Sequence, residues 1–308
     1  MKNQKDMKLK TYSIGFFLFA LLPLAAFANK SDYEAKKHFE ETYSISKNHT
    51  LEIEGSFASF EVVTWNQNEV HISGDITITA KNQAKADQLL NEYEVKMSNS
   101  GDKVSLSVRL ESKNKDKNSS KMESDVKFTI KAPEWLKLDA HVAFGNLDLA
   151  RNTAENAIEM EYGNLSATAL DGANNMIHMS FGNVNMENFG GGDLTALFSK
   201  VEIDEVKGNS KIESSYSTCQ IHAMNANVKE VTIGNSFGDT SLSIPAQNSY
   251  EIESSSSFGS MKVKGPWNEK YYKSEFDSEQ KKGTFGNGAV IGSITVNNSF
   301  GSVKVLEK

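Results

Sequence analysis

The sequence predicts an all-β protein: a right-handed parallel β-solenoid of about eight coils behind an N-terminal α+β cap. Three observations carry this. An aromatic-small dipeptide returns about every nineteen residues, apolar residues fall in fixed columns around each copy, and the positions between the columns are mostly polar.

The dipeptides are Phe144-Gly145, Tyr162-Gly163, Phe181-Gly182, Phe198-Ser199, Tyr216-Ser217, Phe237-Gly238, Phe258-Gly259 and Phe300-Gly301, with an outlying copy at Phe57-Ala58. From Phe144 onward the spacings are 18, 19, 17, 18, 21, 21 and 42. Three residues after the aromatic stand Leu147, Leu165, Val184, Val201, Cys219, Thr240, Met261 and Val303. Five residues after it stand Leu149, Ala167, Met186, Ile203, Ile221, Leu242, Val263 and Val305. Ala140, Ile158, Ile177, Leu194, Ile212 and Ile233 precede it by four. Period-two alternation of this kind marks a strand with one buried face. The beat skips at the small residue, so each unit reads as strand, corner, strand and return turn. The aromatic is expected to point inward. The small residue is expected where the chain bends tightly or another backbone passes close. No such unit buries its own apolar face, whereas stacked units share one continuous core. Right-handed winding follows from the general crossover preference.

Residues 1–28 read as a secretory leader. Lys2, Lys5, Lys8 and Lys10 precede an apolar run from Ile14 to Phe27, and Ala26-Phe27-Ala28 is a small-x-small cleavage site. The run is short for a membrane span, and no later segment is long and apolar enough to serve as one. Losing the leader removes four lysines and one aspartate, taking the formal net charge from −7 to −10. An acidic surface disfavours nucleic acid and anionic lipid as partners. Only Arg109 and Arg151 offer the bidentate grip suited to acidic ligands. Cys219 is the sole cysteine, which excludes an intramolecular disulfide. It falls in an inward column and is expected to be a buried hydrophobe.

Residues 29–135 form the expected cap. Strand signals lie near Leu51–Glu54, Phe60–Trp65, Val70–Thr79, Val104–Leu110 and Val126–Ile130. A helix is expected within Lys81–Tyr93, with Ala84, Leu89, Leu90 and Tyr93 on one face. The polar stretch Glu111–Lys121 is expected to be a loop. A solenoid needs such a cap because its open edge otherwise pairs with another chain. Residues 136–308 are the repeat region. Residues 265–292 within it read as an insertion or irregular coil.

The candidate sites are few. His141, Glu159 and His178 each stand three residues before an aromatic and should stack about one strand spacing apart, near enough to share a metal, although a solvated polar column is the competing reading. Asn146, Asn164 and Asn183 are expected to form a hydrogen-bonded ladder. Gly190-Gly191-Gly192-Asp193 occurs once and reads as a turn. Trp267, Tyr271 and Tyr272 could form a ligand-contact patch or pin the insertion in place. No Ser-His-Asp or Cys-His set can be assembled, and the outward columns show no carboxylate cluster, so no catalytic residue and no cofactor is expected.

The order Leu51-Glu-Ile-Glu-Gly-Ser-Phe57, Val62-Val-Thr-Trp65, a helix near Ala84–Tyr93, Ala132-Pro133 and serial aromatic-Gly-Asn/Asp units resembles the DUF4097-type adhesin-like family. It is also similar to the head GIN-domain auto-transporter adhesins. The resemblance covers about residues 40–308 and implies a β-helix-like fold at the bacterial envelope or surface, with no catalytic residues to carry over. The expected function is that of an exported, non-enzymatic envelope binding or scaffold protein whose partner is an envelope protein or glycan. The alternatives are a β-helical polysaccharide-active enzyme and a periplasmic sensory partner of a membrane regulator.

Overall fold

The computed structural model describes residues 32–111 and 123–308. The leader expected at 1–28 and nearly all of the loop expected at 111–121 lie outside these. Within the described residues, alternating apolar side chains build one continuous sheet of 23 strands, folded at the corners into two long faces, a first and a second sheet, that enclose one core. Each coil gives one strand to each sheet, and the aromatic dipeptide is the corner between them. In the coil of Tyr162, the first half of Asn156–Leu170 pairs in parallel with Lys137–Ala143 and with the first half of Asn175–Phe189. Its second half pairs with Asn146–Leu149 and with the second half of Asn175–Phe189. Residues at equivalent places in successive coils stand directly opposite one another, as Leu147, Leu165, Val184 and Val201 do. These four, with Ile158, Ile177 and Leu194, are essentially without solvent contact. The chain is a β-solenoid.

The corner differs from the expectation in one respect. The aromatics do not point inward: all nine, Phe57 included, are between 43% and 57% exposed. Their backbones supply the reason. Every non-glycine residue with positive φ among those described is one of these nine, at φ between 51° and 59°. A left-handed residue breaks the strand alternation and swings its side chain to the outside of the bend. The inward columns are therefore interrupted between the residue two before the ring and the residue three after it. Where the following residue is glycine, it answers to close approach and not to φ. A Cβ on Gly163 would lie 1.7 Å from the carbonyl oxygen of Gly145, and one on Gly182 would lie 1.7 Å from that of Gly163.

Two coils carry serine there instead. Their hydroxyls enter the ladder: Ser199 Oγ donates to Leu197 O at 2.7 Å, Ser217 Oγ donates to Ser215 O at 2.7 Å, and Ser199 N donates to Ser217 Oγ at 3.0 Å. The loss of glycine alters the corner without breaking the stack.

The two ends depart from a simple stack in the same way. At the start, Thr50–Ser56 and Ser59–Thr64 form a full coil whose Phe57 lies on Phe144. This coil pairs on one side with Lys137–Ala143 and Asn146–Leu149, and on the other with Lys103–Leu110 and Glu123–Ala132. At the other end, Gly292–Ser299 pairs with Glu230–Ser236 and with Tyr250–Ser257. Val303–Glu307 likewise lies between Thr240–Ile244 and Met261–Lys264. The first and last coils in sequence are thus each one place in from the end of the stack.

Antiparallel strands cover the outermost coils. Tyr93–Ser100 lies on Lys103–Leu110, and Glu69–Ala80 lies on Glu123–Ala132 with Tyr33–Ser44 outside it. The segment 265–292 contains an antiparallel hairpin, Trp267–Ser274 with Ser278–Phe285, which is added to Tyr250–Ser257. The strand signals read in 51–130 all correspond to strands, while Tyr33–Ser44 and Tyr93–Ser100 gave no signal. The helix spans Gln83–Leu90, with Asn82 Oδ1 accepting from Lys85 N at 2.9 Å. Its buried residue is Ala86; Ala84, expected on the inner face, is exposed, and Tyr93 lies in the next strand.

Candidate functional site

The corner sequence produces the most distinctive surface of the molecule. Because each ring sits at the same left-handed position of its coil, the rings lie face to face along the axis. Neighbouring centroids are 4.7 to 4.9 Å apart, with planes within 9° of parallel. The spatial order runs Phe57, Phe144, Tyr162, Phe181, Phe198, Tyr216, Phe237, Phe300, Phe258. Ring faces are covered by neighbours, so the stripe presents edges to solvent over roughly 38 Å, at about 4.8 Å per coil. Nine half-exposed rings, each worth about 150–250 Å² in full, leave a contiguous apolar stripe of about 700–1,000 Å². That exceeds the roughly 300–600 Å² of the largest patch on an ordinary monomer.

Beside the stripe, the outer face of the first sheet carries a groove of about 530 Å³ near the C-terminal coils. Ser215, Ser236, Ser257 and Ser299, each immediately before its aromatic, line its near side, with Ser255 and Asn297 beyond them. Gly234 leaves its floor open, since a Cβ there would meet nothing closer than Glu213 Cγ at 3.8 Å. Leu197 and Gly234 apart, the lining is neutral hydroxyl and amide with one carboxylate, Glu213.

The outer face of the second sheet carries a second groove of about 600 Å³. Its lining includes five carboxylates spread along the groove, Glu61, Asp148, Glu187, Glu202 and Asp204. They come from positions four and six after the aromatic in four coils. Reading columns four and six as rows of one face would have found them. Glu202 accepts from Lys200 Nζ at 2.5 Å and pairs with His222 Nε2 at 3.1 Å, which hold its carboxyl below the usual range.

The metal column forms as a row: Glu159 stands opposite both His141 and His178. His141 Nδ1 is 3.1 Å from Glu159 Oε2, and its Nε2 is 3.2 Å from Asp139. His141 thus spends both ring nitrogens on carboxylates. Among the described residues no group of three or more His, Cys, Asp or Glu could hold a metal ion. The asparagine ladder is present: Asn164 Nδ2 donates to Asn146 Oδ1 at 2.9 Å, and Asn183 Nδ2 to Asn164 Oδ1 at 2.7 Å. Gly191 lies in a bend and Gly192 opens the strand Gly192–Leu197, at φ of 129° and 114°.

Trp267, Tyr271 and Tyr272 share one strand but not one face. With the register shift between Glu269 and Tyr271, Trp267 and Tyr272 stand opposite Phe285 and Lys281, and Tyr271 stands opposite Lys282. Alternation then sets Tyr271 on the other face. Trp267 is half-buried and packs on the core, over Gly283; Tyr271 and Tyr272 are exposed, and Lys281 Nζ sits 5.3 Å from the Tyr272 ring centroid. Cys219 is fully buried, and burial pushes its thiol up to about 12.

The repeat geometry and the chain's sequence profile agree. The family described as Toastrack DUF4097 matches residues 46–306. The chain belongs to that family. Its Toastrack architecture is similar to solved structures at low identity. A candidate adhesin of Bacteroides fragilis is 12% identical, with 88% of this chain and 98% of that one covered and a TM-score of 0.42. A candidate adhesin of Parabacteroides merdae is 13% identical over 87% and 96%, with a TM-score of 0.36. A candidate lipid-binding protein of Parabacteroides distasonis is 14% identical over 87% and 96%, with a TM-score of 0.33. No curated protein matches the Toastrack chain. Among the described residues no helix is long and apolar enough to cross a membrane.

Proposed function

We propose that this protein is an exported, non-enzymatic, adhesin-like binding or scaffold protein of the cell envelope, which holds an envelope glycan or protein along the outside of its solenoid. The observation that carries this reading is the nine-ring apolar stripe bordered by a neutral hydroxyl and amide groove. A contiguous apolar surface of that size costs solubility unless it is used. The groove supplies the neutral donors and acceptors that fix an uncharged polar partner beside it. The test is a screen of purified protein against envelope glycans and envelope proteins. Binding is expected, and a folded Ser236→Lys/Ser299→Lys variant should weaken it at least tenfold. No binding to any member, or unchanged binding by the variant, sinks the reading.

The groove lined by Glu61, Asp148, Glu187, Glu202 and Asp204 favours one second reading, a polysaccharide-active enzyme using paired carboxylates. Against it, Glu202 is held ionised, the wrong direction for a general acid. Turnover of a polysaccharide panel, abolished by Asp148→Asn or Asp204→Asn, would establish this reading over the first.

A further inference from the structure

The inward column two residues before the aromatic changes character along the solenoid. In the early coils it is Val142, Met160, Met179 and Ala196, all buried. In the last three coils of the stack it becomes Asn235, Asn298 and Ser256, in spatial order, each opposite the next. Ser254 joins them from the outermost of these coils. All four side chains are at most 3% exposed.

Their polar atoms are not all paired by the protein. Asn235 Nδ2 donates to Ser217 O at 3.2 Å and to Thr240 Oγ1 at 3.3 Å. Asn235 Oδ1, Asn298 Oδ1 and Nδ2, Ser254 Oγ and Ser256 Oγ have no protein partner. The reason for the difference between the two asparagines is local. Across from Asn235 the second strand of the coil opens with Thr240, whereas across from Asn298 it opens with Val303, which has no oxygen to offer.

Five unpaired buried atoms on three adjacent coils do not persist dry, since native proteins pair nearly all such groups with protein or ordered water. We propose that Asn235, Asn298, Ser254 and Ser256 line an internal site that holds ordered water at the C-terminal end of the stack. The chemistry selects water over a cation. The set offers two amide oxygens that only accept, one amide nitrogen that only donates, and two hydroxyls that do either. Water, with two donors and two acceptors, satisfies all of them, and at about three hydrogen bonds per buried molecule two waters suffice. A cation would use the oxygens and leave Asn298 Nδ2 facing a like charge.

The experiment is a high-resolution crystal structure of the protein together with a count of long-lived internal waters by oxygen-17 relaxation dispersion, on the native chain and on Asn298→Leu. Ordered waters within hydrogen-bond distance of Asn298 and Ser256, and the loss of at least one long-lived water in Asn298→Leu, are expected. A dry seam with Asn298 turned to backbone partners overturns the proposal, as does density that refines as a metal ion or a larger solute, or an unchanged count in the variant. Should Asn298→Leu fail to fold, Asn298→Ser keeps polarity while adding room. Its count should then equal or exceed that of the native chain, and a fall would overturn the proposal.

Discussion

The ring of Phe144 lies flat against that of Tyr162, with centroids 4.9 Å apart and planes at 0°. Both residues hold left-handed backbones, at φ of 56° and 55°, a conformation costing roughly 1–2 kcal/mol for an L-residue. Stacking offsets that cost, at about 0.5–1.5 kcal/mol for each neighbour. Tyr162→Ala loses two neighbours and keeps the strain, so it should destabilise by about 1–3 kcal/mol. Tyr162→Gly loses the same neighbours but adopts positive φ freely, and should come out equal to or up to about 1 kcal/mol more stable than the alanine variant. Urea midpoints decide this; an alanine variant clearly more stable than the glycine variant would show that the backbone strain is not real.

The glycine beside the ring answers to a different constraint. A Cβ on Gly163 would sit 1.7 Å from Gly145 O, and Gly145 is held in the bend between two paired strands, Lys137–Ala143 and Asn146–Leu149. Ala58, Ser199 and Ser217 carry a Cβ at the same place in coils built around it, so Gly163→Ala should cost about 2–4 kcal/mol as the corner adjusts. Gly234→Ala, on the open outer face, should stay within about 1 kcal/mol of the native chain in either direction. Comparable midpoints for the two variants would contradict the close-packed corner.

Which parts of this were legible beforehand follows from what a period can encode. Columns of Leu147, Leu165, Val184 and Val201 gave the coils and their register, because stacking in register makes spacing in sequence into contact in space. Parity alone sent Phe144 and Tyr162 inward, because alternation assumes a continuous strand and the left-handed residue breaks it. The 42-residue gap before Phe300 shows an interruption but not where the last coil lands. Its place between the coils of Phe237 and Phe258 depends on pairing partners that no local pattern names. The carboxylate-lined groove gave no signal for a related reason: its members are unremarkable within each coil and share a face only across coils.

Burial of Cys219 makes a statement about alkaline stability. Its thiol, pushed up to about 12 from an ordinary value of 9.0, stays protonated in the folded chain while the unfolded chain loses the proton. A raised acid of this kind contributes in full below about pH 9, and the contribution is lost as pH climbs from 9 toward 12. The slope approaches about 1.4 kcal/mol per pH unit. Tyr250, also raised to about 12 by burial, adds to the loss above its ordinary value of 10.0. Between pH 9 and 10 the unfolding free energy of the native chain should fall, and that of Cys219→Ala should fall less. Equal slopes would mean that the thiol is accessible when folded, which a thiol-reactive dye would register independently.

The threading of the last coil bears on how the solenoid holds together. In a simple stack the final coil has one neighbour, and removing it exposes one edge. Here Gly292–Ser299 and Val303–Glu307 each pair on both sides, with Glu230–Ser236 and Thr240–Ile244 below and with Tyr250–Ser257 and Met261–Lys264 above. Deleting residues 292–308 would leave, in each sheet, a slot one strand wide with two exposed strand edges facing it. It would also strip cover from Val231, Ile233, Leu242 and Ile252, which are now fully buried. Burial of each such side chain stabilises by about 1.5–3 kcal/mol, so the coils of Phe237 and Phe258 have no reason to stay ordered around the gap. The deletion should thus abolish hydrogen-exchange protection from about residue 230 onward, and the exposed edges should make the truncated chain aggregate. Retained protection at Val231 and Ile252 in a monomeric truncated chain would mean that the two flanking coils close on one another, and that the last coil is dispensable to the stack.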